Sequence, residues 1–158
     1  MASDFFQRDL SLIRQLLRFK QLLPDFAAYI RRHSCLVAEG EITPTPLAET
    51  YRVRVEYAAD KWPKVWVKTP ALVPREPGGR IPHMYGQKRL CLFYPRGNEW
   101  SGDMYVADSF VPWAAEWLHY YELWHATGEW LGGGHEPGNS EPYRHTKHRK
   151  AYRAKRSR

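Results

Sequence analysis

Apolar residues recur at helical spacing near the start of the chain. Between residues 3 and 32, large apolar side chains lie three or four positions apart: Phe6, Leu10, Ile13 and Leu17. This spacing predicts an amphipathic helix, which Ser3 or Asp4 would cap. Pro24 cannot continue a helix undisturbed. We therefore expect a break there and a second short helix over residues 25–32.

The hydrophobic period then changes to two. Cys35–Ile42 reads as a first strand, and in Tyr51–Tyr57 the rings and valines alternate with charged residues, which is typical of a half-buried strand. Lys64–Thr69 predicts a third strand of the same meander. A Pro/Gly-rich loop over residues 70–82 follows, and residues 89–94, "RLCLFY", predict a fourth extended segment.

Residues 108–130 return to helical spacing. Asp108 or Ser109 would cap this helix, Pro112 fits its first turn, and Gly128 is a natural stop. One face of the helix carries large rings: Trp113, Trp117, Tyr120 or Tyr121, and Trp124. We expect most of them to pack in the core, while an exposed ring would suit a partner surface. The elements together predict an α/β (α+β) fold.

The net charge of +7 comes from the end of the chain. Residues 143–158 hold eight Lys and Arg and no acid, which leaves sixteen basic against seventeen acidic residues elsewhere. We expect one folded domain over residues 1–142 and a basic, disordered tail over 143–158. The tail could instead bind phosphates or acidic partners, and any nucleic-acid contact there would be nonspecific.

Several functional classes are disfavoured. No apolar stretch is long enough to span a membrane, and no signal-peptide pattern opens the chain. With only two cysteines, a cytoplasmic protein with reduced thiols is expected. Cys35 and Cys91 lie far apart, and His145 and His148 lie in the tail. We therefore predict neither a metal site nor a cofactor.

Cys91 allows two interpretations. Between Leu90 and Leu92 it could be a buried core residue, or it could be a nucleophile at the end of an extended segment. Lys88 and Arg89 are close enough in sequence to favour the thiolate or to guide an acidic partner. Cys35 opens a predicted strand, so we interpret it as structural.

The motifs around Cys91 resemble the ubiquitin-conjugating enzymes. "YAADKWPKVWVKTP" matches their turn and strand, His83 stands eight residues before Cys91 in "LCL", and Trp100 follows in "NEW". Residues 112–130, "PWAAEWLHYYELWHATGEW", resemble a helix of bacterial members found in CBASS anti-phage operons, which are built around a cGAS-like nucleotidyltransferase. Because the chain has no adenylation domain or nucleotide-binding glycine motif, it resembles the stand-alone conjugating type.

The resemblance implies a ubiquitin-conjugating fold: an N-terminal helix, an antiparallel meander, an active-site loop and a C-terminal helix. It also implies that Cys91 forms a thioester with the C-terminus of a partner, the nucleotidyltransferase, and then passes that chain on or holds it. A separate activating enzyme could take part, and the sequence leaves its need open. His83 and Tyr85 would order the loop, and Trp100 would pack beneath it.

One departure from the family pattern leaves an alternative open. The family's His-Pro-Asn is replaced by His83-Met84-Tyr85, so the asparagine that stabilises the oxyanion is missing. The hydroxyl of Tyr85 could replace it. Otherwise the protein would be a binding module of the same fold that clamps a partner noncovalently. A nucleic-acid binder that depends on the tail is a third reading.

Overall fold

Two helices and one four-stranded antiparallel sheet form the regular structure. A computed structural model describes residues 9–134. Its elements are α1 (Leu12–Leu22), β1 (Ala27–Arg31), β2 (Cys35–Ile42), β3 (Tyr51–Tyr57), β4 (Lys64–Thr69) and α2 (Val106–Thr127). The strands pair in chain order, β1-β2-β3-β4. The predicted mixed α and β architecture is therefore confirmed, with one strand more than the three-stranded meander expected.

The three predicted strands have the predicted bounds. Along β3 the side chains alternate between the core and the outer face, and Val53 and Val55 are fully buried. The outer face is charged: Arg54 forms ion pairs with Glu39 on β2 at 2.5 Å and with Glu56 at 2.7 Å. The period-two pattern thus sets both the strand and the face that it buries.

The predicted helix over residues 25–32 is wrong. Ala27–Arg31 is instead the edge strand β1, which pairs with all of Cys35–Glu39 on β2. Arg32 and His33 have φ values of 49° and 56°, so the backbone turns sharply where a helix would continue. The exposed edge of β2 provides backbone partners, and this tertiary pairing overrides the helical propensity of the alanines.

Helix α1 buries a different face from the one predicted. Ile13 and Leu17 are 58% and 60% exposed, whereas Gln15 and Phe19 are fully buried. Phe19 packs against the Phe26 ring at 6.2 Å between centroids. The helix ends at Leu22, just before Pro24, as expected, and its capping residue is Ser11. Ser3, Asp4 and Phe6 lie outside the described residues, as does the tail over 143–158.

Helix α2 starts earlier than predicted. Its first residue is Val106, so Pro112 falls in the second turn rather than the first. The buried Gln15 amide caps this start, because its Oε1 accepts a hydrogen bond from the Val106 N–H at 2.9 Å and its Nε2 donates to the Met104 carbonyl at 2.8 Å. The predicted stop is confirmed: Gly128 follows the helix with a φ of 86°.

The large rings of α2 divide between the core and the surface. Trp117, Tyr121 and Trp124 are buried, at 4%, 7% and 8% exposure. Trp113 and Tyr120 are only half-buried. Neither helix in residues 9–134 is long and apolar enough to span a bilayer.

Candidate functional site

The segment between β4 and α2 contains a short hairpin that begins at His83 and ends at Cys91. The Cys91 N–H donates to the His83 carbonyl at 3.0 Å, Met84 pairs with Leu90, and the Tyr85 N–H donates to the Arg89 carbonyl at 2.8 Å. His83 and Cys91 are therefore paired across the hairpin, and their eight-residue separation follows from its register. The extended segment predicted over residues 89–94 is confirmed only at its start, where Arg89 and Leu90 form isolated bridges, and no strand continues to residue 94.

Two elements hold the hairpin in place. On the sheet side, the Leu90 N–H donates to the Val65 carbonyl of β4 at 2.9 Å. On the helix side, the buried indole N–H of Trp117 donates to the His83 carbonyl at 2.9 Å. The His83 carbonyl thus accepts hydrogen bonds from the Cys91 N–H and from the Trp117 indole of α2. Through this shared acceptor, the helix helps to fix the position of Cys91 relative to α2.

A second anchor holds the loop upstream of the hairpin. The Val73 N–H donates to the Tyr121 hydroxyl at 3.0 Å, and that hydroxyl donates back to the Val73 carbonyl at 3.2 Å. The His125 Nε2 lies 3.0 Å from the same carbonyl. Burial raises the pKa of Tyr121, so its hydroxyl keeps the proton that this anchor uses.

Cys91 lies in the wall of an open cleft. Its side chain is half-buried, and its Sγ lies 3.6 Å from the Tyr85 hydroxyl and 4.0 Å from the Phe93 carbonyl oxygen. The cleft has a volume of about 420 Å³. Cys91 is therefore not fully enclosed in the core, and its place in the cleft wall is compatible with the nucleophile interpretation.

Large aromatic rings and two acids surround the sulfur. The cleft residues that bear on the chemistry are Trp113, Trp117, Tyr120, Trp130, Glu99 and Glu116. Glu99 accepts the Tyr94 N–H at 2.7 Å, and Glu116 is exposed. Between residues 9 and 134 no lysine or arginine lines this cleft. The environment therefore suits a cationic group or an apolar chain better than an anion.

The glycine run 132–134 also lines the cleft. A Cβ on Gly132 would lie 2.6 Å from the Tyr120 ring and 2.9 Å from the Trp130 indole nitrogen, which is too close for any side chain. The glycine run thus packs against α2 in the same cleft that Cys91 lines. Its position against α2 explains why the residue at 132 is glycine.

His83, one of the three expected support residues, is largely buried and lines the same cleft as Cys91. Its exposure is 8% and its φ is 50°. Its ring packs on Trp130 with centroids 4.9 Å apart, while its carbonyl is the shared acceptor described above. The backbone of His83 therefore contributes directly to the position of Cys91.

The other two expected support residues occupy different places. Tyr85 contacts the sulfur through its hydroxyl. Trp100 is 5% exposed and packs edge-on against Tyr57 at 5.5 Å and against Phe110 at 5.7 Å. Trp100 thus belongs to the core between β3 and α2.

Within residues 9–134 the remaining cysteine and the histidines do not form a metal site. Cys35 starts β2, and its Sγ lies 3.4 Å from the Leu36 carbonyl oxygen. Across the described part of the chain, no group of three or more Cys, His, Asp or Glu side chains could hold a metal ion. His145 and His148 lie outside that part.

The family model for the "Type II CBASS E2 protein" matches residues 15–137. The chain belongs to this family. The match extends from α1 across the sheet, the Cys91 hairpin and α2, so the family assignment includes every element that builds the cleft. No curated protein matches the chain. Membership of the CBASS E2 family indicates a conjugation-related role, and it confirms the resemblance drawn from the motifs.

Proposed function

We propose that Cys91 accepts the C-terminal carbonyl of a partner polypeptide as a thioester. The observation that carries this proposal is that the half-buried Cys91 lines an open cleft, with its Sγ 3.6 Å from a tyrosine hydroxyl. Membership of the CBASS E2 family supports it. The helix, meander, cysteine loop and helix follow the order that the ubiquitin-conjugating fold would require.

The step needs a thiolate and a donor for the developing oxyanion. The Cys91 thiolate attacks an activated carbonyl, a C–S bond forms, and the bond from the carbonyl carbon to its activating group breaks. The thiol proton goes to solvent. With the thiol protonated, Cys91 donates to Tyr85; with the thiolate or the oxyanion present, the Tyr85 hydroxyl becomes the donor and takes the role of the family's asparagine.

The character of the cleft supports an amine as the acceptor of the chain. Glu99 and Glu116 line the approach to the sulfur together with aromatic rings. Carboxylates and aromatic faces both attract an ammonium group. A lysine ammonium held there would first give a proton to water, and its neutral amine would then attack the thioester carbonyl. The C–S bond breaks as the amide bond forms, and the second proton from the amine nitrogen converts the leaving thiolate to the Cys91 thiol.

The partner in this proposal is a cGAS-like nucleotidyltransferase with a glycine-ended tail. The family's place in type II CBASS supports that choice. Activation of the tail is assigned to a separate enzyme, and the protein is expected in the cytoplasm, where its thiols stay reduced. Conjugation of the synthase would then regulate the anti-phage signal.

A tail peptide carrying a preformed C-terminal thioester tests the chemistry without an activating enzyme. Intact mass should show one peptide added with loss of the small thiol, and dithiothreitol should reverse the addition. Cys91→Ala should abolish the adduct, and Cys35→Ala, the matched control at the only other cysteine, should retain it. An adduct that survives in Cys91→Ala would show that the nucleophile is another residue.

The noncovalent alternative makes a distinct prediction, which native mass spectrometry with the whole nucleotidyltransferase would test. A binding module would give a native-mass complex with the nucleotidyltransferase that is unchanged by Cys91→Ala, and no covalent product. Binding to nucleic acid would fall steeply with salt and would vanish on removal of residues 143–158.

A further inference from the structure

Arg89 is a buried cation with no counterion among residues 9–134. Its side chain is 4% exposed, and neither Nε nor Nη2 has a hydrogen-bond partner in the described structure. No carboxylate between residues 9 and 134 forms an ion pair with it. Removing a charge from water without a partner is costly, so such a group points to a negative charge that arrives or forms nearby.

The arginines of the sheet and of the helices behave differently. Arg54 forms ion pairs with two carboxylates, and Arg18 forms one with Asp108 at 2.5 Å. Lys88, the neighbour of Arg89, is exposed at the hairpin turn. Among these cations, Arg89 alone is both enclosed and uncompensated.

Two short contacts connect Arg89 to the sulfur. The guanidinium carbon lies 4.4 Å from the centre of the Tyr85 ring, opposite Arg89 in the hairpin. The Tyr85 hydroxyl lies 3.6 Å from the Cys91 Sγ. A cation on the ring face withdraws electron density from the phenol, and this makes the hydroxyl a stronger hydrogen-bond donor.

We propose that Arg89 is a positioning residue that acts through Tyr85 to stabilise negative charge at Cys91. The resting thiol leaves the cation uncompensated. The thiolate, and then the oxyanion formed when its sulfur bonds to a carbonyl carbon, supplies the missing charge, and the Tyr85 hydroxyl donates to it. The oxyanion part of this role rests on the proposed function, whereas the thiolate part does not.

The test is the pH profile of Cys91 alkylation by iodoacetamide, followed by intact mass in a Cys35→Ser background. The wild-type profile should have its midpoint below the ordinary thiol value of about 8.5. Arg89→Met should move the midpoint up by about one pH unit, which slows alkylation at pH 7 about tenfold. Lys88→Met, an exposed cation one residue away, should change the rate less than twofold.

A double-variant comparison separates this role from packing. In a Tyr85→Phe background, Arg89→Met should slow alkylation less than threefold further, because the connecting hydroxyl is already absent. Circular dichroism and the melting temperature report whether each variant folds. A folded Arg89→Met with the wild-type profile would overturn the proposal, and so would the full tenfold loss in the Tyr85→Phe background.

The wild-type midpoint and the absence of a partner protein each make the alkylation assay decisive on their own. If Arg89→Met does not fold, a wild-type midpoint at or above about 8.5 still overturns the proposal. The assay uses no partner protein, so it is independent of thioester formation. A shifted profile without any peptide adduct would contradict the proposed function alone.

Discussion

The sheet and the Cys91 hairpin are held in different ways. β2 and β3 pair over seven residues, from Leu36 with Tyr57 to Ile42 with Tyr51. Several of their core-facing side chains are fully buried. The contacts of the hairpin with the rest of the fold include one backbone bond from Leu90 to Val65 and one bond from the Trp117 indole. Stability therefore comes from the extended ladder and core, whereas the position of the sulfur depends on a few single contacts.

The charges follow the same division. On the sheet, Arg54 lies between Glu39 and Glu56 and is neutralised by them. In the hairpin, Arg89 is buried on a tyrosine ring without a carboxylate partner among residues 9–134. The ion pairs of Arg54 stabilise the folded protein in its resting state, whereas in our proposal the unpaired charge of Arg89 favours the Cys91 thiolate. Changes in one region should therefore leave the other largely intact.

The largest expected effect is in the core of the sheet. Leu36→Ala removes a fully buried side chain of β2 and should lower the free energy of unfolding by about 2–5 kcal/mol. Urea unfolding measures this loss. Leu47→Ala, at a side chain that is 99% exposed, should stay within about 0.5 kcal/mol. At temperatures where the variant is folded, Cys91 alkylation should match the wild type.

A smaller effect is expected where α2 holds the hairpin. Trp117→Phe keeps a ring but removes the N–H that donates to the His83 carbonyl, which should cost about 1 kcal/mol. Hydrogen exchange at the Cys91 amide should become faster, while exchange in β2 and β3 stays the same. Trp124→Phe, another buried indole of α2, is the control. Equal exchange at Cys91 in both variants would show that the Trp117 bond does not fix the sulfur.

The smallest effect concerns the outer face of the sheet. Arg54 holds the pKa of the Glu39 carboxyl below its usual value. A depressed folded pKa adds stability above the unfolded pKa, and this stability is lost as the pH falls through the folded pKa. Glu39→Gln should therefore cost up to about 1 kcal/mol at pH 7, and the difference should disappear in acid.

The control for that change is on the same strand. Glu41→Gln replaces an exposed carboxylate of β2 and should show no such pH dependence. A Glu39→Gln difference that persists unchanged at pH 3 would mean that packing, rather than the ion pair, causes it.

The sheet could be predicted because its signals are local. Alternation in Tyr51–Tyr57 fixed the strand and its buried face, and Gly128 marked the end of α2. The edge strand β1 could not be predicted, since its residues 27–31 have no strict alternation and its conformation depends on pairing with β2. The exposed Ile13 and Leu17 show the same limit, because two apolar stripes compete on α1 and only tertiary packing selects one.

The site was predictable only in part. The motifs identified Cys91, His83 and Tyr85, and the structure brings the last two to the cysteine through a backbone bond and a hydroxyl contact. The bond from Trp117 to the His83 carbonyl joins residues 34 positions apart, and no local pattern signals it. Burial of Arg89 was equally hidden, since Arg89 directly follows the exposed Lys88 and no local pattern distinguishes the two residues.

The central claim is tested most directly by mapping the adduct. A Cys91→Ser variant, incubated with the nucleotidyltransferase, ATP and an activating enzyme, would trap the chain as a more stable oxyester. Peptide mapping by tandem mass spectrometry should locate the C-terminal carbonyl of the partner on the side chain at position 91. A covalent bond at another residue, or only a noncovalent complex in both this variant and the wild type, would contradict the account.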